Sequence, residues 1–299
     1  MINGILNVYK EAGYTSHDVV AKLRGILKQK KIGHTGTLDP DAVGVLPVCL
    51  GSGTKLCDML TDKRKEYRAG LLLGVETDTQ DISGTVLAQR EVTVDEIQVR
   101  EAVLSFVGSY DQIPPMYSAI KVGGKKLYEL AREGKEITRS ARRVEIDDIQ
   151  IERIQLPEAT LLVGCSKGTY IRTLCHDIGR RLGCGGTMKS LERTKVGEFR
   201  IQEALTLEQI QNLQAAGQLE EKVLSVEAVF MDYPAVTVKK KFQKLIDNGN
   251  VFYHHMLLTK KRLRAGEQVR VYNEEGIFYG IFVYQEEERF RPVKLFMEK

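Results

Sequence analysis

Lys31–Gly51, KIGHTGTLDPDAVGVLPVCLG, carries the pattern that decides how this 299-residue chain is read. Four glycines, two prolines and a lone His34 crowd into it with one close acid pair, Asp39 and Asp41. Helical and strand periodicity are both poor across its first half. Glycine permits backbone shapes closed to other residues, and proline fixes them. Such a stiff loop can hold a reactive side chain at an unusual angle. On spacing alone, Asp39-Pro40 also reads as a helix start, with Asp as the cap and Pro at the first helical position.

Upstream of the loop, Ile5–Tyr9 reads as a strand, and Thr15 or Ser16 caps a helix with Val19, Val20, Leu23 and Ile26/Leu27 at helical spacing. Downstream, Thr54–Leu60 reads as a short helix. Lys63–Gly74 reads as a strand with Tyr67, Ala69, Leu71 and Leu73 on one face. Another strand falls near Thr85–Gln89. Thr93 with Glu96 predicts a capping box for a helix Val94–Phe106. A short helix Leu127–Arg132 stops at Gly134, and Arg143–Ile154 with Ala159–Cys165 forms an antiparallel pair. Tyr170–Leu182 is a helix striped by Ile171, Leu174, Cys175, Ile178 and Leu182. Met188–Val196 is extended, and Thr206–Leu213 is a further helix. Strands and helices mix without a βαβ rhythm, which favours an α+β class with a mixed, mainly antiparallel sheet flanked by helices. From Tyr233 the character turns to short strands: Val236–Val238, Gln268–Tyr272, Ile277–Tyr284 and Val293–Phe296, with a turn at Asn273–Gly276. Two domains are expected, 1–230 and 231–299.

Hydrophobic residues make up 42% of the chain, enough for a sizeable core. Net charge is only +4, yet Lys and Arg cluster, as at Lys239–Lys241 and Lys260/Lys261/Arg262/Arg264. Clustered rather than excess charge suits a local polyanion-binding face; a solvated surface is the plainer reading of any one cluster. Five cysteines, with no CxxC pair, argue against a disulfide framework and against zinc. The histidines show no ligand spacing, so no metal is expected. No signal-peptide pattern and no membrane-length apolar run are present, and the expected location is the cytoplasm. GxxxxGK[ST] and GxSxG are both missing, which removes nucleotide P-loops and serine-hydrolase elbows.

Three further stretches complete a resemblance: KEYRAGLLLG around Tyr67, CSKGTYIRTLCHDIG around Tyr170 and Arg172, and MKSLERTKVG around Leu191. With GHTGTLDPxAxGVLPVCLG they resemble the bacterial tRNA pseudouridine synthases that modify the T-arm uridine conventionally numbered 55. The resemblance implies the pseudouridine synthase fold and a tRNA substrate, with neither metal nor cofactor. In that family the Asp of the LDP core is the nucleophile, here Asp39. Tyr67 corresponds to the Tyr that stacks on the flipped uracil and assists proton removal from C5. Arg172 matches the Arg that pairs with the catalytic Asp, through two parallel hydrogen bonds where the geometry allows. His34, Tyr170 and Leu191 correspond to substrate-binding positions. Each has a plainer reading: Tyr67 as core, Arg172 as an exposed Arg in a first helical turn, His34 as a structural hydrogen bonder, and Leu191 as buried across a register break.

Asp41 is assigned to structure or solvent. The tail from Tyr233 resembles a PUA-type RNA-binding module, a small β-barrel-like unit. The chain departs from the family pattern at Glu11, Asp41, Val43 and Ser52–Gly53, none of them a proposed catalytic group. A monomer is expected. Two competing readings are a non-catalytic tRNA-binding or tRNA-folding protein and the guide-RNA-dependent branch of the superfamily; the latter is disfavoured by the lack of long basic tails.

Overall fold

The structure, a computed structural model, describes residues 1–297. Its main sheet has ten strands. Eight run in the order Val223–Leu224, Gly4–Lys10, Val43–Leu50, Gly186–Val196, Lys65–Leu73, Glu158–Cys165, Arg142–Gln155, Gly108–Gln112. Ile32–His34 pairs with Val43–Leu50, and Phe199–Arg200 with Gly186–Val196. Every pairing is antiparallel except Gly186–Val196 against Val43–Leu50, where Glu192 faces Val43 and Arg193 faces Gly44. The mixed, mainly antiparallel sheet is therefore as expected. At that junction Gly44 has φ +107, and a Cβ would stand 2.3 Å from the Arg193 carbonyl oxygen. Only glycine lets the loop's exit strand approach so closely.

Two layers of side chains bury the sheet. One core joins Leu6, Val8, Leu46 and Val48 to the helix Ser16–Leu27 through Val19, Val20 and Leu23. That helix starts as expected: Thr15 caps it in a reciprocal box with Asp18. The other core joins Ala69, Leu71, Leu161 and Val163 to the helix Ile171–Arg181. That helix lies on the sheet backbone to backbone, since a Cβ at Gly179 would sit 2.1 Å from the Gly186 nitrogen. A second, five-stranded sheet runs Ala235–Thr237, Gln268–Tyr272, Phe278–Tyr284, Arg289–Leu295, Phe252–Tyr253. Its first pairing is parallel and the others are antiparallel.

Several local expectations are corrected. The helix expected over Val94–Phe106 spans Glu96–Leu104, and its cap is Asp95 with Gln98, not Thr93 with Glu96. The carboxylate of Asp95 reaches the Gln98 N–H and wins the cap. Thr54–Leu60 divides into a 3-10 turn, Gly51–Leu56, and a short helix, Cys57–Thr61. The last strand is longer than Val293–Phe296, running Arg289–Leu295, because it pairs with both neighbours.

Candidate active site

Asp39 does not start a helix. It opens a tight turn in which the Ala42 N–H donates to the Asp39 carbonyl at 3.1 Å. The turn is tied down on both sides. Before it, the Leu38 N–H donates to Ser16 Oγ at 3.0 Å, fastening the loop to a helix N-terminus. After it, Lys10 Nζ donates to the carbonyls of Pro40 at 2.9 Å and Ala42 at 2.6 Å, and to Glu11 at 3.1 Å. Lys10 is fully buried, and burial lowers its pKa, while Asp41 and Asp39 partly offset that. The backbone around Asp39 is thus held, while its side chain remains 46% exposed.

Arg172 meets that side chain from the first turn of Ile171–Arg181. Its Nε lies 3.3 Å from Asp39 Oδ2. The contact is single, not the two parallel bonds of a forked pair, because the other nitrogens are committed. Nη2 donates to the Tyr117 carbonyl at 2.9 Å, while Nη1 lies 3.4 Å from both the Thr79 carbonyl and Asp81 Oδ2. The exposed reading of Arg172 is overturned, since the residue is 8% exposed. A buried guanidinium is tolerable here because two carboxylates and two carbonyls satisfy it. The start of its helix is set by Gln112, which accepts from the Tyr170 N–H at 2.8 Å and donates to the Tyr170 carbonyl at 3.0 Å.

Asp39 and Arg172 open onto a cavity of about 660 Å³ that Tyr67, Tyr170 and Leu191 also line. Five of the six sequence-predicted site residues therefore converge. His34 does not line it: it sits on the strand Ile32–His34, edge-on to His17 with ring centres 5.1 Å apart. Burial, then the neighbouring His17, lowers the His34 pKa, so its imidazole is neutral at pH 7. Leu191 reaches the cavity through irregular pairing. Register shifts between Met188 and Ser190 and between Arg193 and Lys195 break the simple alternation that assigned it to a polar face. The same shifts bury Arg193 to 1% exposure.

Lys10, Gln112, Asp81 and Arg193 escaped the sequence reading. Lys10 had a signal, since it shares strand parity with buried Leu6 and Val8. The others had none, as their partners are distant in sequence. The rim adds Arg142, Arg143 and Lys167 beside Tyr117 and Tyr128, a cationic and aromatic margin. Among the described residues no group of three or more His, Cys, Asp or Glu could hold a metal ion, and no helix is long and apolar enough to cross a membrane.

Residues 24–171 match the N-terminal domain of the TruB family pseudouridylate synthases, and residues 172–231 match the tRNA pseudouridylate synthase B C-terminal domain. The chain belongs to the TruB family. Its relatives include the tRNA pseudouridine synthase B of Alkaliphilus oremlandii, 49% identical with 98% of this chain and 97% of that one covered. The Lachnoclostridium phytofermentans protein of the same name is 51% identical, with 99% and 100% covered. Among solved structures, a Cbf5-Nop10-Gar1 complex superposes with a TM-score of 0.73 at 26% identity, covering 98% of this chain and 85% of that one. The TruB fold is thus shared along almost the whole chain.

Proposed function

We propose that this TruB-family protein converts uridine 55 in the T arm of tRNA to pseudouridine, with Asp39 as the nucleophile. The observation that carries the reading is the Asp39–Arg172 pair, held at 3.3 Å and open to a cavity lined by tyrosines. The reaction breaks the bond from the sugar to N1, turns the base and rejoins it through C5. It changes no oxidation state. A carboxylate placed for covalent attack suits it.

The target base must leave its stack, and Tyr67 with Leu191 supplies surfaces to receive it. Arg172 aims the carboxylate, while Tyr170 closes one wall. His34, outside that lining, bears on the substrate only through the loop it supports. The relatives' shared name supports tRNA as substrate. In this reading residues 1–230 form the catalytic unit and 231–299 a PUA-like RNA-binding unit of a cytoplasmic monomer that needs no cofactor.

The test is incubation with an unmodified T-arm hairpin, followed by pseudouridine-specific mapping. The wild-type chain is expected to convert the hairpin uridine. Asp39→Asn is expected to convert none while binding the hairpin within about threefold of wild type, since the amide oxygen can still accept from Arg172 Nε and Asp81 keeps its own contact with that guanidinium. Conversion by the Asn variant overturns the assignment of Asp39.

A further inference from the structure

Arg193 is a buried cation with an unusual set of partners. It lies on Gly186–Val196, directly across from Tyr67 on one side and Gly44 on the other. Its Nε donates to the Val45 carbonyl at 2.7 Å, and Nη2 reaches toward the Gly36 carbonyl at 3.4 Å. These tie the two ends of the loop that carries Asp39. Among the described residues, no carboxylate lies within ion-pairing distance of Arg193. A buried charge without a counter-ion is costly, so a chain that keeps one gains something from it. What faces it, besides those carbonyls, is the Tyr67 side chain in the cavity wall.

We infer that Arg193 is a positioning residue of the reaction: it holds the Tyr67 oxygen against the loop and stabilises the phenolate that takes the C5 proton. The inference rests on the isomerase reading above. The step balances. The C5–H bond breaks, its electron pair becomes the C5–C6 double bond, the C6–N1 π pair moves onto N1, and the C5 proton lands on the phenolate oxygen. N1 takes a proton from water, and the phenol later returns its own to water. Burial, the largest influence, raises the Tyr67 pKa; Arg193 pulls it down, while Cys165 and Asp39 push it up. Lys65, on the same strand, turns its ammonium to the Thr61 and Lys63 carbonyls. Arg193 is thus the cation that counters the cost of ionising this phenol.

The experiment combines two readouts. Tyrosine labelled with 13C at the ζ carbon reports each phenol's ionisation, with the Tyr67 signal identified by its loss in Tyr67→Phe. Single-turnover conversion of the T-arm hairpin is followed from pH 6 to 10. In Arg193→Met the Tyr67 signal is expected to titrate at higher pH. The conversion rate near neutrality should fall about 100-fold, the size of a proton-transfer contribution. Because burial holds the Tyr67 pKa above its ordinary value of 10.0, the fold loss should stay constant across this range, while hairpin affinity stays within about threefold. Arg193→Lys, which keeps the charge, should recover most of the rate and shift the titration less. If Arg193→Met does not fold, the Lys variant still decides, because its weaker, displaced charge must move the Tyr67 titration upward. An unmoved Tyr67 titration in the folded variants overturns the inference, as does an equal rate loss in Lys and Met at every pH. Failure of the wild-type chain to convert uridine instead sinks the isomerase reading, which the Tyr67 titration does not touch.

Discussion

Lys10 ends a strand whose inward side chains are otherwise apolar, with Leu6 and Val8 on its own face. Its ammonium replaces water with the Pro40 and Ala42 carbonyls, at 2.9 and 2.6 Å, and so fixes the turn that follows Asp39. Replacing it by Met preserves the packing of the stem and strands both carbonyls. A stranded buried acceptor costs about 1–3 kcal/mol. Lys10→Met is therefore expected to lower stability by that order in urea unfolding. It should also slow pseudouridine formation about 100-fold, the usual cost of a reactive group displaced by about 1 Å. A variant with the wild-type rate shows that the turn holds itself. The residue scale also marks the limit of reading a sequence. Motifs point to Asp39, Tyr67 and Arg172, whereas Asp81 and Gln112 make contacts 91 and 58 residues away in the chain, which no local pattern encodes.

The helix Ile171–Arg181 was legible as an element because its apolar stripe repeats at helical spacing and is buried from Ile171 to Ile178, with Leu182 half-buried after it. Its strand partner Gly186–Val196 was legible only as extended, because two register shifts alter which residues face inward. Bulges depend on the neighbouring strand and leave no periodic trace. The helix also carries a cost. Asp177, held mainly by burial and relieved only by Arg180, has its pKa raised to about 6. Raised above its unfolded value of about 3.9, the carboxyl binds its proton more tightly when folded. Its favourable contribution is complete below pH 4 and is lost as pH rises through 6. Asp177→Asn is expected to match wild type in stability near pH 3.5 and to exceed it by about 1–3 kcal/mol at pH 8, in urea titrations at both values. An equal difference at the two pH values removes the protonation argument.

At the scale of the whole molecule, charge and packing play separate parts. A net charge of only +4 gives little long-range attraction, so RNA binding must come from local groups such as Arg142, Arg143 and Lys167 at the cavity rim. Affinity for the hairpin is expected to fall steeply between 50 and 200 mM salt as counterions return to the phosphates, and a flat dependence denies these groups that part. Packing joins the two sheets. Phe230 is 2% exposed and stands within 5.6–6.4 Å, ring centre to ring centre, of Tyr233, Phe278 and Phe296. It shares one core with Ile5 and Cys49 of the main sheet and Ile281 of the second. Neither sheet closes that core alone, so removing its central ring loosens the seam as well as the packing. Phe230→Ala is expected to cost about 3–5 kcal/mol, the usual loss for a buried Phe. Hydrogen exchange locates where the loss falls. Amides of Gln268–Tyr272 and Phe278–Tyr284 should lose protection more than those of Lys65–Leu73, because the main sheet keeps two cores of its own and the second sheet one. Equal loss in both sheets means that the seam has no separate stability and the molecule opens as one unit.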